Sequence, residues 1–117
     1  MKIHLFDKDQ NAELHPAGEV VFRVGDTGDR MYAVIDGAVD LIIHGKVVET
    51  VEAGGVLGEM ALIEDLPRVA TAIVKSDAKL VGVDRKRFTF LVQQNPFFAL
   101  QLMSIMAGRL RRMNESL

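Results

Sequence analysis

Short hydrophobic runs alternate with glycine-containing turns from Gly18 to about Asp84. β-branched residues dominate the runs, and Gly and Asp mark most of the turns between them. The pattern predicts six strands, at residues 19–24, 31–35, 39–43, 47–51, 70–74 and 79–83. Asp36-Gly37 and His44-Gly45-Lys46 are predicted to turn the chain between neighbouring strands. Many short strands at near-regular spacing are typical of a β-sandwich, roll or barrel.

The last third of the chain changes to a helical spacing. Phe88, Leu91 and Val92 place apolar side chains on one face of a helix predicted over residues 85–94. Asn95-Pro96 interrupts the pattern, since Asn is a good N-cap and Pro is favoured at the first helical position. A second helix is predicted over residues 97–113.

The second helix is apolar nearly all round, with only Gln101 and Ser104 polar between residues 97 and 107. A helix on the surface of a small domain normally has one apolar stripe. Two arrangements explain why this helix has more apolar residues than one stripe requires. Either one face covers the strands and another pairs with the same helix of a second copy, giving a homodimer, or both faces pack within one chain.

Composition and charge narrow the class of protein. A chain of 117 residues fits one domain, 1–117, and nearly half of the residues are hydrophobic. The absence of cysteine excludes disulfides and thiolate metal sites and suits a cytoplasmic protein. No apolar run is long enough to cross a membrane, and the polar N-terminus does not resemble a signal peptide.

Charge gives no general reason for binding nucleic acid, since the net charge is -2. Arg109, Arg111 and Arg112 cluster near the end of the chain. They are interpreted as cations at a helix C-terminus, which the helix dipole favours, or as contacts to an anion or an acidic partner.

The segment over residues 58–71 carries the candidate chemistry. It begins at Gly58, continues with a few good helix formers, and ends on Pro67-Arg68 before a strand resumes. A one-turn helix leaves its first backbone N–H groups unpaired, and an arginine returning beside them can clamp a phosphate. Glu59 can accept from a sugar hydroxyl, so the segment suits a ribose phosphate. A structural salt bridge between Glu59 and Arg68 explains the same residues.

This segment resembles the phosphate-binding cassette of the cyclic nucleotide-binding domain family, whose pattern is Gly-Glu-x-Ala-Leu, a spacer, and Pro-Arg. Gly18, the Gly25-Asp26 and Gly28-Asp29 turn, Tyr32 and Gly37 extend the similarity upstream. It continues through both helices, and so covers the chain from about residue 12. The resemblance implies a mainly β fold with C-terminal helices: a double-stranded β-helix (jelly-roll-like β-roll) over about 12–84, a short cassette helix, and two helices at about 85–94 and 97–113.

The resemblance also implies roles for individual residues. Arg68 would hold the equatorial oxygen of the cyclic phosphate, and Glu59 would accept from the ribose 2′-hydroxyl. Gly58 would allow close backbone approach, and the backbone N–H groups of Ala61 and Val69 would complete the phosphate site. Met60 and Ala70 belong to the same set of ligand-binding positions.

The base pocket is expected between the roll and the last helix, at Leu41, Val48, Met113 and Asn114. Leu41 and Val48 are equally explained as ordinary core residues. Some relatives carry Ser or Thr at the position of Val69, where a hydroxyl helps to select guanine. Valine offers no such group, so cAMP is expected rather than cGMP.

The function expected is a ligand-binding module without catalysis, without a cofactor and without a metal. The resemblance implies that it signals by rearranging its C-terminal helices. Its output would pass to a separate effector protein or to a domain beyond these residues, since no DNA-binding domain follows Leu117. Two alternatives remain. One is a scaffold of the same fold that binds no nucleotide. The other is a metal-dependent enzyme on a related roll, but His4, His15 and His44 lack a chelating spacing.

Overall fold

Two long antiparallel strands, Arg30–Ile43 and Thr71–Asp84, form the centre of the sheet. The computed structural model describes residues 1–115. The strands are β1 (Glu13–His15), β2 (Val20–Phe22), β3 (Arg30–Ile43), β4 (Lys46–Glu52), β5 (Val56–Leu57) and β6 (Thr71–Asp84), and the helices are α1 (Glu59–Glu64), α2 (Arg85–Gln94) and α3 (Pro96–Glu115). The strands join in one six-stranded sheet in the order β1-β6-β3-β4, with β2 on β6 and β5 on β3. The observed fold confirms the expected β-rich domain with C-terminal helices.

The hairpin predicted at Asp36-Gly37 is wrong. β3 continues through this dipeptide, and its register with β6 shifts between Val34 and Val39. Gly37 has φ of 80°, and a Cβ atom there would lie 2.2 Å from the carbonyl oxygen of Asp77. The positive φ of Gly37 therefore belongs to an irregularity in a continuous strand, at a point where the backbones of β3 and β6 approach closely. It does not mark a reversal of the chain. The last two predicted strands likewise form one strand, β6.

The turn predicted at His44-Gly45 is confirmed. Both residues have positive φ, 52° and 75°, which is the conformation that a two-residue hairpin turn requires. This hairpin joins β3 to β4, with Ile43 opposite Lys46. A bulge follows, because Ile42 pairs with Val47 while Leu41 pairs with Glu49.

Alternation along β3 and β6 divides the core in two. One cluster joins the strands to the N-terminal segment and the helices, and it contains Ile3, Phe6, Met31, Ala33, Val56, Leu62, Val81, Val83, Phe98 and Leu102. The other cluster consists of residues from strands β2 to β6: Phe22, Val34, Val39, Val51, Leu57, Ala72, Val74, Ala78 and Leu80. The first cluster therefore fixes α1 and α3 on the outside of the strands.

The two C-terminal helices meet at the predicted break. α2 has the predicted bounds, and the Asp84 side chain caps it by accepting from the backbone N–H of Arg87 at 2.9 Å. α3 begins at Pro96 and extends to Glu115, slightly beyond the prediction at both ends. Phe98 anchors α3 with edge-to-face contacts to Phe6 and Phe88, at centroid distances of 5.8 and 6.0 Å. Over residues 1–115, no helix is both long enough and apolar enough to cross a membrane.

Candidate functional site

Arg68 lies at the centre of the candidate site and is only 4% exposed. Its backbone is fixed by the turn after β2, since its N–H donates to the carbonyl of Asp26 at 2.9 Å and its carbonyl accepts from Gly25 at 2.8 Å. Its guanidinium carbon lies 4.2 Å from the centroid of the Phe22 ring. The side chain is therefore held between the β2–β3 turn and an aromatic face.

Among residues 1–115, the hydrogen bonds of the Arg68 guanidinium all go to backbone carbonyls. Nη1 donates to Gly58 at 2.9 Å, and Nη2 donates to Arg30 at 2.5 Å. Nε is buried and has no hydrogen-bond partner among the described residues. No carboxylate within residues 1–115 forms an ion pair with this side chain. Burial lowers the pKa of Arg68, as expected for a cation removed from water.

The structural salt bridge between Glu59 and Arg68 is absent from the part of the chain that the structure describes. Glu59 is the first residue of α1 and is 1% exposed. Its Oε1 atom accepts instead from Nη1 of Arg109, which extends from α3. The cassette thus separates a buried cation from a buried carboxylate and pairs only the carboxylate.

Gly58 makes room for Arg68. It precedes α1 in the left-handed conformation, with φ of 79°. A Cβ atom at this position would lie 2.5 Å from Nη1 of Arg68. The glycine is therefore required both by the backbone conformation and by the close approach of the guanidinium.

The other cassette residues differ in exposure. Ala61 and Ala70 are buried, at 7% and 8%, and the N–H of Ala61 is in the first turn of α1, where helices have no internal acceptor. The side chains of Met60 and Val69 are exposed, at 45% and 64%. The predicted cassette is therefore one compact unit around Gly58, Glu59 and Arg68, with Met60 and Val69 on its surface.

The predicted base-pocket residues are less closely grouped. Leu41 is partly buried and packs against the strand cluster. Val48 falls in the bulge of β4 and is 57% exposed, while Met113 is 66% exposed and Asn114 is also exposed on α3. A base pocket formed by these four residues remains a prediction.

Arg109 is a site residue that the sequence analysis did not identify. It was interpreted as a cation at a helix C-terminus, but its side chain is only 15% exposed and contacts both β4 and the cassette. Its Nε and Nη2 atoms donate to Glu49 at 2.8 and 3.1 Å, and Nη2 also donates to the carbonyl of Val56. Burial alone would lower the pKa of Arg109, but hydrogen bonds and the charges of the two carboxylates raise it. A usable signal was its position on the stripe of Phe98, Leu102 and Ile105, since 98, 102, 105 and 109 share one helix face.

Two cavities border the site without containing Arg68. One of about 390 Å³ lies beside Arg30 and Tyr32. The other, of about 300 Å³, lies between β4 and α3 and is lined in part by Glu49, Val56 and Arg109. The second cavity adjoins the guanidinium of Arg109, which pairs with Glu59.

The structure is thus a β-rich domain with C-terminal helices and a cassette whose buried arginine has no carboxylate partner among residues 1–115. The chain belongs to the cyclic nucleotide-binding domain family, whose model matches residues 13–95. The matched residues include β1 to β6, the cassette and α2.

Individual proteins show the same similarity. The chain is 39% identical over 79 residues to Rap guanine nucleotide exchange factor 1 of Caenorhabditis elegans, matching 67% of this chain and 8% of that protein. It is similar to the catabolite activator protein of Thermus thermophilus, with a TM-score of 0.79 and 29% identity, over 90% of this chain and 52% of that one. A cAMP-bound PfPKA-R chain gives a TM-score of 0.76 and 29% identity, over 89% of this chain and 36% of the other. The chain therefore spans about half or less of the length of each of these proteins.

Proposed function

We propose that this chain binds a cyclic nucleotide, with Arg68 holding the cyclic phosphate. The observation that carries the proposal is the buried guanidinium, which has no ion-pair partner among the residues that the structure describes. Buried charges in proteins are usually paired, because removing an unpaired ion from water is costly. A phosphodiester anion supplies the missing charge and an acceptor for Nε. The resemblance of the segment to the family's phosphate-binding cassette supports the same role.

Glu59 is proposed as the acceptor for the ribose 2′-hydroxyl. Its ion pair with Arg109 engages Oε1 and leaves Oε2 outside that contact. A carboxylate accepts hydrogen bonds and repels phosphate, so Glu59 suits the sugar while Arg68 suits the phosphate. The two residues together favour a ribonucleotide over a simple phosphate ester.

The preferred ligand is proposed to be cAMP, with cGMP as the weaker ligand. Val69 presents an exposed side chain that can neither donate nor accept a hydrogen bond. A hydroxyl at this position would favour guanine, and the chain lacks it. Leu41, Val48, Met113 and Asn114 are the proposed contacts of the base.

The proposed output is movement of α3. Glu59 is buried and the Arg109 side chain is largely shielded, so a ribose that reaches Glu59 must share or displace the guanidinium supplied by α3. A ligand that interacts differently with the two positions of α3 shifts the population between them. The proposed function is therefore a sensor that performs no catalysis and transmits its signal to an effector protein or to a domain outside this chain.

The apolar outer face of α3 is proposed to pair with the same face of a second copy. Leu100, Met103 and Leu110 are 59–61% exposed, on the side of the helix away from Phe98 and Leu102. Together with Ala107 they recur at spacings of three, four and three residues, which is the seam of a two-helix coiled coil. This spacing supports a homodimer over packing of both faces within one chain.

Calorimetric titration of nucleotide-stripped protein tests the proposed function. Saturable binding of cAMP, weaker binding of cGMP, and little binding of linear 5′-AMP are the expected results. Absence of binding by folded, empty protein would contradict the proposal and favour a scaffold of the same fold. Equal affinity for cAMP and linear 5′-AMP would show that the cassette does not recognise a cyclic phosphate.

A further inference from the structure

Glu49 on β4 holds the arginine that covers the ribose acceptor. Its two carboxylate oxygens accept from Nε and Nη2 of Arg109, at 2.8 and 3.1 Å. This is the two-bond pairing in which a guanidinium is fixed in orientation as well as in position. The Glu49 side chain is 22% exposed, so the contact is largely shielded from water.

The contact with Glu49 determines which atom of Arg109 meets the cassette. With Nε and Nη2 held by Glu49, and Nη2 also held by the Val56 carbonyl, Nη1 is the nitrogen directed at Glu59. It contacts Oε1 of Glu59 alone. Without Glu49, the guanidinium could turn and take both oxygens of Glu59, since an arginine fork prefers two parallel bonds to one carboxylate.

We propose that Glu49 is a positioning residue for ribose recognition: it restrains Arg109 so that Glu59 keeps one carboxylate oxygen for the 2′-hydroxyl. This inference rests on the proposed function of the cassette. It adds that recognition of the sugar depends on a strand residue that makes no contact with the sugar.

Glu49 also joins the three parts of the molecule that surround the ligand. Its Cα is opposite that of Leu41, a predicted base contact, so both side chains lie on one face of the β3–β4 ladder. Through Arg109 it reaches α3 and the cassette, and Arg112 of α3 lies 3.5 Å from the same carboxylate. A change at Glu49 is therefore transmitted to the ribose acceptor through one side chain of α3.

The test compares the affinities for cAMP, 2′-deoxy-cAMP and cGMP in the wild-type chain, Glu49→Gln and Glu52→Gln. Glu52 is an exposed residue of the same strand and is the matched control. Wild type and Glu52→Gln should prefer cAMP over the deoxy ligand on the order of tenfold or more, as expected for a hydrogen bond to a charged acceptor. Glu49→Gln should lose most of this preference through weaker cAMP binding, while its affinity for 2′-deoxy-cAMP stays near that of wild type. In a Glu59→Gln background, adding Glu49→Gln should leave the preference unchanged.

Three results would overturn the inference without contradicting the proposed function. An equal loss of affinity for cAMP and 2′-deoxy-cAMP would assign Glu49 a structural role only. A changed ratio of cAMP to cGMP affinity, with the hydroxyl preference intact, would show that Glu49 contacts the base. An unchanged preference in Glu49→Gln, with wild type binding cAMP, would refute this inference alone. Failure of wild type to bind either nucleotide would instead refute the proposed function, and the inference with it.

Discussion

Arg68 and Glu59 belong to one cassette, are both buried, and do not pair with each other. Arg68 donates to the carbonyls of Gly58 and Arg30, while Glu59 pairs with Arg109. A direct salt bridge between them would neutralise both groups and leave nothing for a ligand. Their separation leaves a cation without an ion-pair partner in residues 1–115 and a carboxylate that is coupled to α3. These are the two features that the proposed ligand, a ribose cyclic phosphate, would use.

Replacement of Glu59 by glutamine should weaken cAMP binding and loosen α3. The amide is a poorer acceptor for the ribose and no longer attracts the Arg109 guanidinium, so α3 loses a buried ionic contact with the cassette. Faster amide hydrogen exchange over residues 105–113 is the expected change, together with a loss of affinity on the order of tenfold or more. Glu64→Gln, at the exposed end of α1, is the control and should change neither. Unaltered exchange in Glu59→Gln would mean that the ion pair does not seat α3.

Replacement of Gly58 by alanine should cost both stability and binding. Left-handed backbone costs a residue with a Cβ atom about 1–2 kcal/mol, and here the new methyl group also meets Arg68. Gly45→Ala is the matched control, because Gly45 has φ of 75° and open space around its Cβ position. Urea denaturation should show a larger loss for Gly58→Ala than for Gly45→Ala, and only the former should weaken cAMP binding. Equal losses and normal binding would show that the guanidinium does not depend on the glycine.

Asp9 should stabilise the fold at neutral pH and stop doing so in acid. Burial alone would raise the pKa of Asp9. Its hydrogen bonds to Arg87 and to the backbone N–H of Asn11, together with the charge of Arg87, have the larger effect, so the pKa lies below the ordinary value of 3.8. A carboxyl with a lowered pKa in the folded state contributes fully above its unfolded pKa, and this contribution is lost as the pH falls through the folded value. Asp9→Asn should therefore lower the free energy of unfolding at pH 7, by up to about 1 kcal/mol.

The difference between Asp9→Asn and wild type should narrow below about pH 4, where the wild-type carboxyl begins to take up its proton. Chemical denaturation at pH 7 and pH 3 measures it. Asp7→Asn, in the exposed pair with His4, provides the comparison. A difference that grows as the pH falls would reverse the sign and contradict the ion pair with Arg87.

Replacement of Leu110 by glutamate should dissociate the proposed homodimer while leaving the fold intact. Leu110 is on the exposed stripe of α3, so the new charge would be buried at the seam of the dimer but hydrated in the monomer. Leu14→Glu is the control, since Leu14 is 83% exposed on β1. Sedimentation velocity should show a dimer for wild type and Leu14→Glu, and a monomer for Leu110→Glu. A monomeric wild type, or a dimer in all three, would exclude this seam.

Local sequence predicted the cassette and the break between the helices because short-range chemistry determines both. Gly58, the helix formers after it, and Asn95-Pro96 act on their immediate neighbours. The hairpin predicted at Asp36-Gly37 was wrong because a glycine with positive φ occurs in bulged strands as well as in hairpin turns. Only the approach of Asp77, far along the chain, distinguishes the two.

The contacts of Arg109 could not be predicted from local sequence for a related reason. Its role depends on how α3 is rotated and seated on the strands, which is decided by the packing of Phe98 and Leu102. The β4 bulge had a similar effect, since it places Glu49 opposite Leu41 and leaves Val48 on the surface. Register and helix orientation are tertiary properties that the spacing of residue types does not determine.

The most direct test of the central claim is the affinity of nucleotide-stripped Arg68→Ala for cAMP, measured by calorimetry beside wild type and Arg111→Ala. Arg111 is an exposed arginine of α3 and controls for the loss of one positive charge. The account predicts a ten- to hundredfold loss of affinity, on the order expected for a charge-assisted contact, in Arg68→Ala and little change in Arg111→Ala. Wild-type affinity in a folded Arg68→Ala protein would show that the buried guanidinium does not hold the phosphate, and would contradict the account.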